Sequence, residues 1–140
     1  EFTKLFTCNG YVYLWKHHPL AEKEVIELSE LQEYPCLSFE QGDNNSFYFA
    51  EEILSTYDFK KTIKSNDRAT NLNLMVGLNA FTLCSGIICE ELNGSDFIAV
   101  KLAENVSMDI GYIKRAHLNM SEIGNIYIEE VRKYINEVLQ

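Results

Sequence analysis

Lys61-Thr62-Ile63-Lys64-Ser65-Asn66-Asp67-Arg68-Ala69-Thr70 begins in alternation and ends in cap-forming residues. The alternation over 61–64 predicts a strand. Asn66-Asp67 is a turn or cap pair, and Leu72, Met75 and Val76 carry the helix that follows. Ala80-Phe81-Thr82-Leu83-Cys84 is apolar enough for a buried strand, which Ser85-Gly86 breaks. Strand, polar turn, helix and strand in succession argue for α/β layering around a largely parallel sheet.

The same alternation extends in both directions. Downstream, residues 87–92 form a short helical turn ended by Asn93-Gly94, 97–100 a strand, and 107–114 a strand with Met108, Ile110 and Tyr112 two apart. Residues 121–139 give the clearest helix, with Ile128, Val131, Ile135, Val138 and Leu139 in one stripe. Upstream, Tyr11-Val12-Tyr13-Leu14-Trp15 is a β-rich run, and Pro19 stops it. Ser29 is a candidate cap for a short helix closed by Pro35, and Cys36-Leu37-Ser38-Phe39 is a further strand. A turn over 41–46 leads into a helix over 47–57, where Phe49 and Ile53 share a face.

The 140 residues suit one α/β domain, or one domain with a piece of a neighbour. With 46% hydrophobic and 24% charged residues the chain has the balance of a globule rather than a disordered segment. No apolar run reaches the roughly 18 residues of a membrane span. The start, Glu1-Phe2-Thr3-Lys4, has neither an initiator Met nor a signal-peptide pattern, and the expectation is a sequence that begins inside a longer protein. A net charge of −9 repels phosphates, so DNA binding by the parent protein needs another segment.

Catalytic and metal signatures are sparse. There is no glycine-rich phosphate loop and no Gly-x-Ser-x-Gly elbow, since Cys84-Ser85-Gly86 lacks the first Gly. Cys8, Cys36, Cys84 and Cys89 form no Cys-x-x-Cys pair. Cys36 and Cys84 read as small core residues of a reduced, cytoplasmic protein, with a redox sensor as the sharper alternative. His17 and His18 are adjacent, which is poor geometry for two ligands on one strand. No catalytic residues, cofactor or metal are expected. Two polar turns remain, Ser38-Phe39-Glu40-Gln41-Gly42 and residues 65–70, both running from strand to helix. In open α/β sheets ligands sit at such strand ends, beside helix N-termini. The alternative is that Ser65, Asn66 and Asp67 only cap a helix.

Trp15-Lys16-His17-His18-Pro19-Leu20-Ala21, then Ile26-Glu27-Leu28-Ser29-Glu30-Leu31 and Tyr34-Pro35, resembles the opening signature of LysR-type effector domains. Ser65-Asn66-Asp67-Arg68 and Leu74-Met75-Val76-Gly77-Leu78-Asn79-Ala80-Phe81-Thr82-Leu83 are similar to that family's polar turn and following segment. Ile110-Gly111-Tyr112-Ile113-Lys114-Arg115 and the last helix resemble its return strand and C-terminal helix. Each motif is loose; their order along nearly the whole chain carries the resemblance. Asn79 departs from it where a second Gly is usual, and Ser85-Gly86 where Pro is common.

The resemblance implies a periplasmic-binding-protein-like (type 2) fold, a mixed and mostly parallel sheet flanked by helices. Residues 19–106 would be the second regulatory subdomain, and 1–18 and 107–140 hinge strands and the C-terminal helix of the first. It implies a small-molecule effector, a homo-oligomer, and DNA reached only through an N-terminal domain outside this sequence, with no membrane partner. Ser38, Glu40, Asn66, Asp67, Arg68 and Thr70 would face one cleft between subdomains, with His18 near the hinge. Helix starts and Arg68 suit an anionic metabolite, whereas Glu40 and Asp67 favour an amide-bearing or zwitterionic one. An enzyme or solute-binding protein on the same scaffold is the competing reading, and an oligomerisation module without ligand is the third.

Overall fold

A computed structural model describes residues 1–40, 53–54, 57–88 and 90–138. The turn expected over 41–46 lies outside them, as do Cys89, Leu139 and most of the helix expected over 47–57. The chain divides into two compact units, residues 9–108 and residues 1–8 with 109–140.

In the larger unit β2 (Tyr11–Trp15) is central. It pairs antiparallel with β6 (Thr82–Cys84) on one side and β7 (Phe97–Leu102) on the other. β3 (Val25–Ile26) joins β7 in parallel. β4 (Cys36–Phe39) and β5 (Thr62–Ser65) form a parallel pair. A parallel bridge from Cys36 to Phe81 attaches that pair beside β6. Its bonds are Leu37 N–H to Phe81 O at 2.7 Å and Phe81 N–H to Pro35 O at 3.0 Å. Across the surface β3-β7-β2-β6-β4-β5, every strand but β2 therefore points one way, which is the mixed, mostly parallel sheet expected.

β2 is buried on both faces, which is why it reads as a continuous apolar run rather than an alternating one. Val12 and Leu14 enter a core with Ile26, Leu31, Phe59, Phe81 and Val100. Tyr13 points the other way, into a cluster with Leu37, Met75 and Ala80. Met75 belongs to α2 (Arg68–Leu78), so this helix covers that face. On the Phe81 face Phe59 packs edge-on against Phe81, ring centroids 5.3 Å apart. Cys36 is buried and Cys84 half-buried.

Two local expectations need correction. α1 (Leu28–Leu31) is capped by Glu27, not Ser29. Ser29 lies inside the helix and its hydroxyl donates to the Glu27 carboxylate, while Glu30 accepts the Glu27 N–H at 3.1 Å. α3 (Glu90–Asn93) sits later than the turn expected over 87–92. The Ile87 N–H is taken by Ser85 Oγ instead, and Gly94, at φ 72°, follows the helix.

The smaller unit contains most of β1 (Phe2–Asn9) and β8 (Ser107–Ile113), with α4 (Glu122–Val138). Glu1 and Lys114 exchange both backbone bonds, and Thr7 Oγ1 donates to Asp109 at 2.6 Å, so the two strands run antiparallel. Ile128, Val131 and Ile135 of α4 are half-buried. Ile123, Ile126, Tyr127 and Tyr134 form a second, exposed apolar face.

Candidate ligand-binding site

The register of β4 and β5 places Ser38 beside Lys64 and Phe39 beside Ser65. Glu40 then continues the pairing, its N–H donating to Ser65 O at 2.9 Å. Both expected turns therefore leave the same edge of the sheet. Because β6 runs parallel to β4, Cys84-Ser85-Gly86 leaves there too. Two polar turns and the end of β4, with Glu40 just past it, stand at the carboxyl ends of neighbouring parallel strands, which is where α/β sheets hold ligands; residues 41 and 42 of the first expected turn lie outside the described residues.

The middle turn is rigid. Ser65 Oγ donates to Asp67 O at 3.0 Å and accepts the Asp67 N–H at 3.2 Å. Asp67 takes an extended conformation as the N-cap of α2, and its carboxylate accepts the Thr70 N–H at 2.6 Å. Hydrogen bonds from the Thr70 side chain and backbone hold the Asp67 carboxyl below its usual range. The α2 N-terminus is thus already occupied by the chain's own anion. Arg68 turns to Asn93, donating to its Oδ1 at 2.5 Å. Asn66 and Glu40 are exposed and Ser38 is half-buried.

Beneath this edge lie two buried polar atoms without a hydrogen-bond partner among the described residues, the Tyr13 hydroxyl and Asn71 Oδ1. Burial raises the Tyr13 phenol pKa, and the positive charge of Arg68 partly offsets this. Asn71 lies on the face of α2 that also carries Met75, so the first buried turn of the helix is polar and the next apolar.

His18 is not brought to this group. β2 is antiparallel to its neighbours, so its carboxyl end, where Trp15 pairs with Phe97, is the opposite end of the sheet. There His18 is 3% exposed, and both ring nitrogens bond to backbone, Nε2 to Asn79 O at 2.9 Å and Nδ1 to the Leu20 N–H at 3.0 Å.

Cys84-Ser85-Gly86 is the part of the edge that the sequence did not offer as a binding turn, only as a strand break, an elbow lacking its first Gly and a departure from the LysR-like pattern. Gly86 has φ 77°, and a Cβ there would meet Tyr11 Cδ2 at 2.6 Å, so the ring closes over a position open only to glycine. The available signal was the same one used for the other turns, an apolar strand running into small polar residues.

No family model matches the chain and no curated protein matches it. Solved structures do. HinK, a LysR family transcriptional regulator from Pseudomonas aeruginosa, superposes with a TM-score of 0.66 at 19% identity, over 96% of this chain and 48% of its own. The regulatory domain of MetR, a LysR family regulator from N. meningitidis, gives 0.67 at 12% identity, over 99% of this chain and 67% of its own. The chain has the fold of LysR regulatory domains. The effector-binding domain of QuiR, solved with shikimate, is also similar, with a TM-score of 0.59 at 14% identity over 99% of this chain and 66% of its own. The chain spans about half the length of HinK. Asn79, which departs from the LysR-like pattern, caps α2 in the left-handed region at φ 49° and ψ 44°. Asn tolerates that region, so the turn a Gly would make is kept.

Proposed function

We propose that the chain is the ligand-sensing part of a LysR-type transcription regulator, acting in the cytoplasm without catalysis of its own. The observation that carries this is the gathering of polar residues at three adjacent strand ends, those of β4, β5 and β6, on a LysR regulatory fold. Residues 9–108, wider than the 19–106 expected because β2 is the central strand of the larger unit, serve as the second regulatory subdomain, and the remaining strands and α4 belong to the first. DNA is reached through a separate N-terminal domain, and the regulator works as a homo-oligomer. Ligand shifts the regulator between arrangements by binding one of them better.

Ser38, Glu40, Asn66, Arg68 and Thr70 contact the ligand, and Asp67 holds the turn in shape. Asp67 already satisfies the start of α2, and Glu40 adds a second carboxylate. A bare anion at that helix start therefore meets repulsion, and an amide-bearing or zwitterionic metabolite fits better. His18, at the other end of the sheet, takes no part in contact.

Thermal-shift screening with small metabolites, followed by calorimetry on Ser38→Ala and Thr70→Ala, tests the reading. The expected result is a bound metabolite whose affinity falls by about tenfold in each variant, the scale of one lost hydrogen bond to a polar ligand. Binding that neither substitution weakens overturns the site.

A further inference from the structure

We propose that His18 is a proton-operated latch, which in its neutral form ties the carboxyl end of α2 to the turn after β2 and on protonation releases it. The chemistry of its partners fixes the ring's state. Asn79 O can only accept, so Nε2 carries the hydrogen. The Leu20 N–H can only donate, so Nδ1 must offer a lone pair. A proton from solvent binds that lone pair, removes the acceptor and sets two donors against each other at a 3% exposed site. A buried imidazolium with a lost bond is unstable there, and the ring must leave or its turn must open.

The position makes that opening matter. Asn79 ends α2 in the left-handed conformation, and Ala80, fully buried, separates it from Phe81. Phe81 is the residue that bridges to Cys36 and joins the β4–β5 pair to the rest of the sheet. Release of Asn79 acts two residues from that bridge. On the other side the ring packs at a tilt of 58° against Tyr34, centroids 4.4 Å apart, and Tyr34 precedes Pro35, whose carbonyl accepts the Phe81 N–H. The latch thus touches both segments that meet at the bridge. The titratable groups nearest in the chain or in ring contact are the Tyr34 phenol and His17, whose own ring packs on Trp15. Burial lowers the His18 pKa, the Asn79 carbonyl partly opposes it, and no charged side chain is among the causes. The latch does not depend on what binds at the other end of α2.

Nitrogen-detected NMR of the whole chain across pH 4 to 8 tests this, together with amide exchange and a His18→Gln variant. Gln keeps one donor and one acceptor but binds no proton. The expected result is an Nε2–H tautomer at neutral pH and a His18 midpoint below the ordinary imidazole value of 6.5. Protection of the Leu20 and Phe81 amides should fall by up to about tenfold for each pH unit between about 6.5 and that midpoint, and level off below it. His18→Gln should abolish this fall. If His18 titrates at or above 6.5, or if the fall persists in His18→Gln, the latch is refuted. Should the variant not fold, the wild-type midpoint and the Leu20 amide decide the matter alone.

Discussion

Asp67 is where local sequence was most informative. The sequence offered Asn66-Asp67 as a turn or cap pair, and of the two Asp67 is the cap, its carboxylate meeting the Thr70 N–H at 2.6 Å. Asp67→Ala should lower the urea midpoint of the chain and Asp67→Asn should restore most of the loss, since an amide oxygen still accepts. Equal midpoints for all three proteins would mean that the cap contributes nothing. Phe81 lies at the other extreme. Its side chain is fully buried and packs on Phe59, so Phe81→Ala should cost about 3–5 kcal/mol of unfolding free energy. A loss under about 1 kcal/mol, the scale of an exposed-site change, would show that the bridge region is loosely packed. Asp67 was legible because a cap is local. His18 was not, because its place depends on β2 being antiparallel, and no residue near His18 encodes that.

At the scale of elements, strands were readable where an apolar run or a clean alternation marked them, as in β2, β5 and β8, whereas β1 and the two-residue β3 carried neither signal. β2 was found over its full length, five residues of apolar and aromatic character. β1 went unread, since Thr3, Lys4 and Thr7 interrupt its apolar residues and only Cys8 among the strand's residues is buried. Its pairing shows instead in a glycine of its partner. A Cβ on Gly111 would stand 2.2 Å from Thr3 O and 2.8 Å from the Phe2 ring. The contact involves backbone, so it cannot be relieved by a rotamer change. Gly111→Ala should therefore destabilise the β1–β8 pair by about 1–3 kcal/mol, the usual range for overpacking. Amide exchange at Lys114, whose N–H donates to Glu1 O, reports on that pair directly. Unchanged protection at Lys114 in the variant would contradict the close approach. α4 was half legible. Its Ile128–Val131–Ile135 stripe is the half-buried one, whereas Ile123, Ile126, Tyr127 and Tyr134 lie on a neighbouring sector outside the expected stripe.

For the whole molecule, these groups predict a stability that falls in two steps as pH drops. His18 has a folded pKa below its ordinary 6.5, so the unfolded chain binds its proton more readily. Its contribution is complete above about 6.5 and is lost as pH falls from there towards the folded value. The second step belongs to carboxylates. Asp67, Asp96, Asp109 and Glu30 all have folded pKa values below their ordinary 3.8 or 4.5. Their contribution is complete above those ordinary values and is lost as pH falls below them. These groups lie in both units, Asp109 with Thr7 in one and Asp96 with Lys16 in the other, so the acid step should involve the whole chain. A net charge of −9 works the opposite way, since the first protons taken up relieve repulsion. At 0.15 M salt that repulsion is screened beyond about 8 Å, while contacts at hydrogen-bond distance are screened much less. Urea unfolding at that salt from pH 7.5 to 3 should therefore show a shallow decline beginning near 6.5 and a steeper one below about 4.5. His18→Gln should flatten the first without moving the second. Asp96→Asn should soften the second only slightly, because its partner Lys16 is solvent-exposed and such pairs contribute little. A single decline confined to the carboxylate range would mean that the His18 ring is as easily protonated in the folded chain as in the unfolded one.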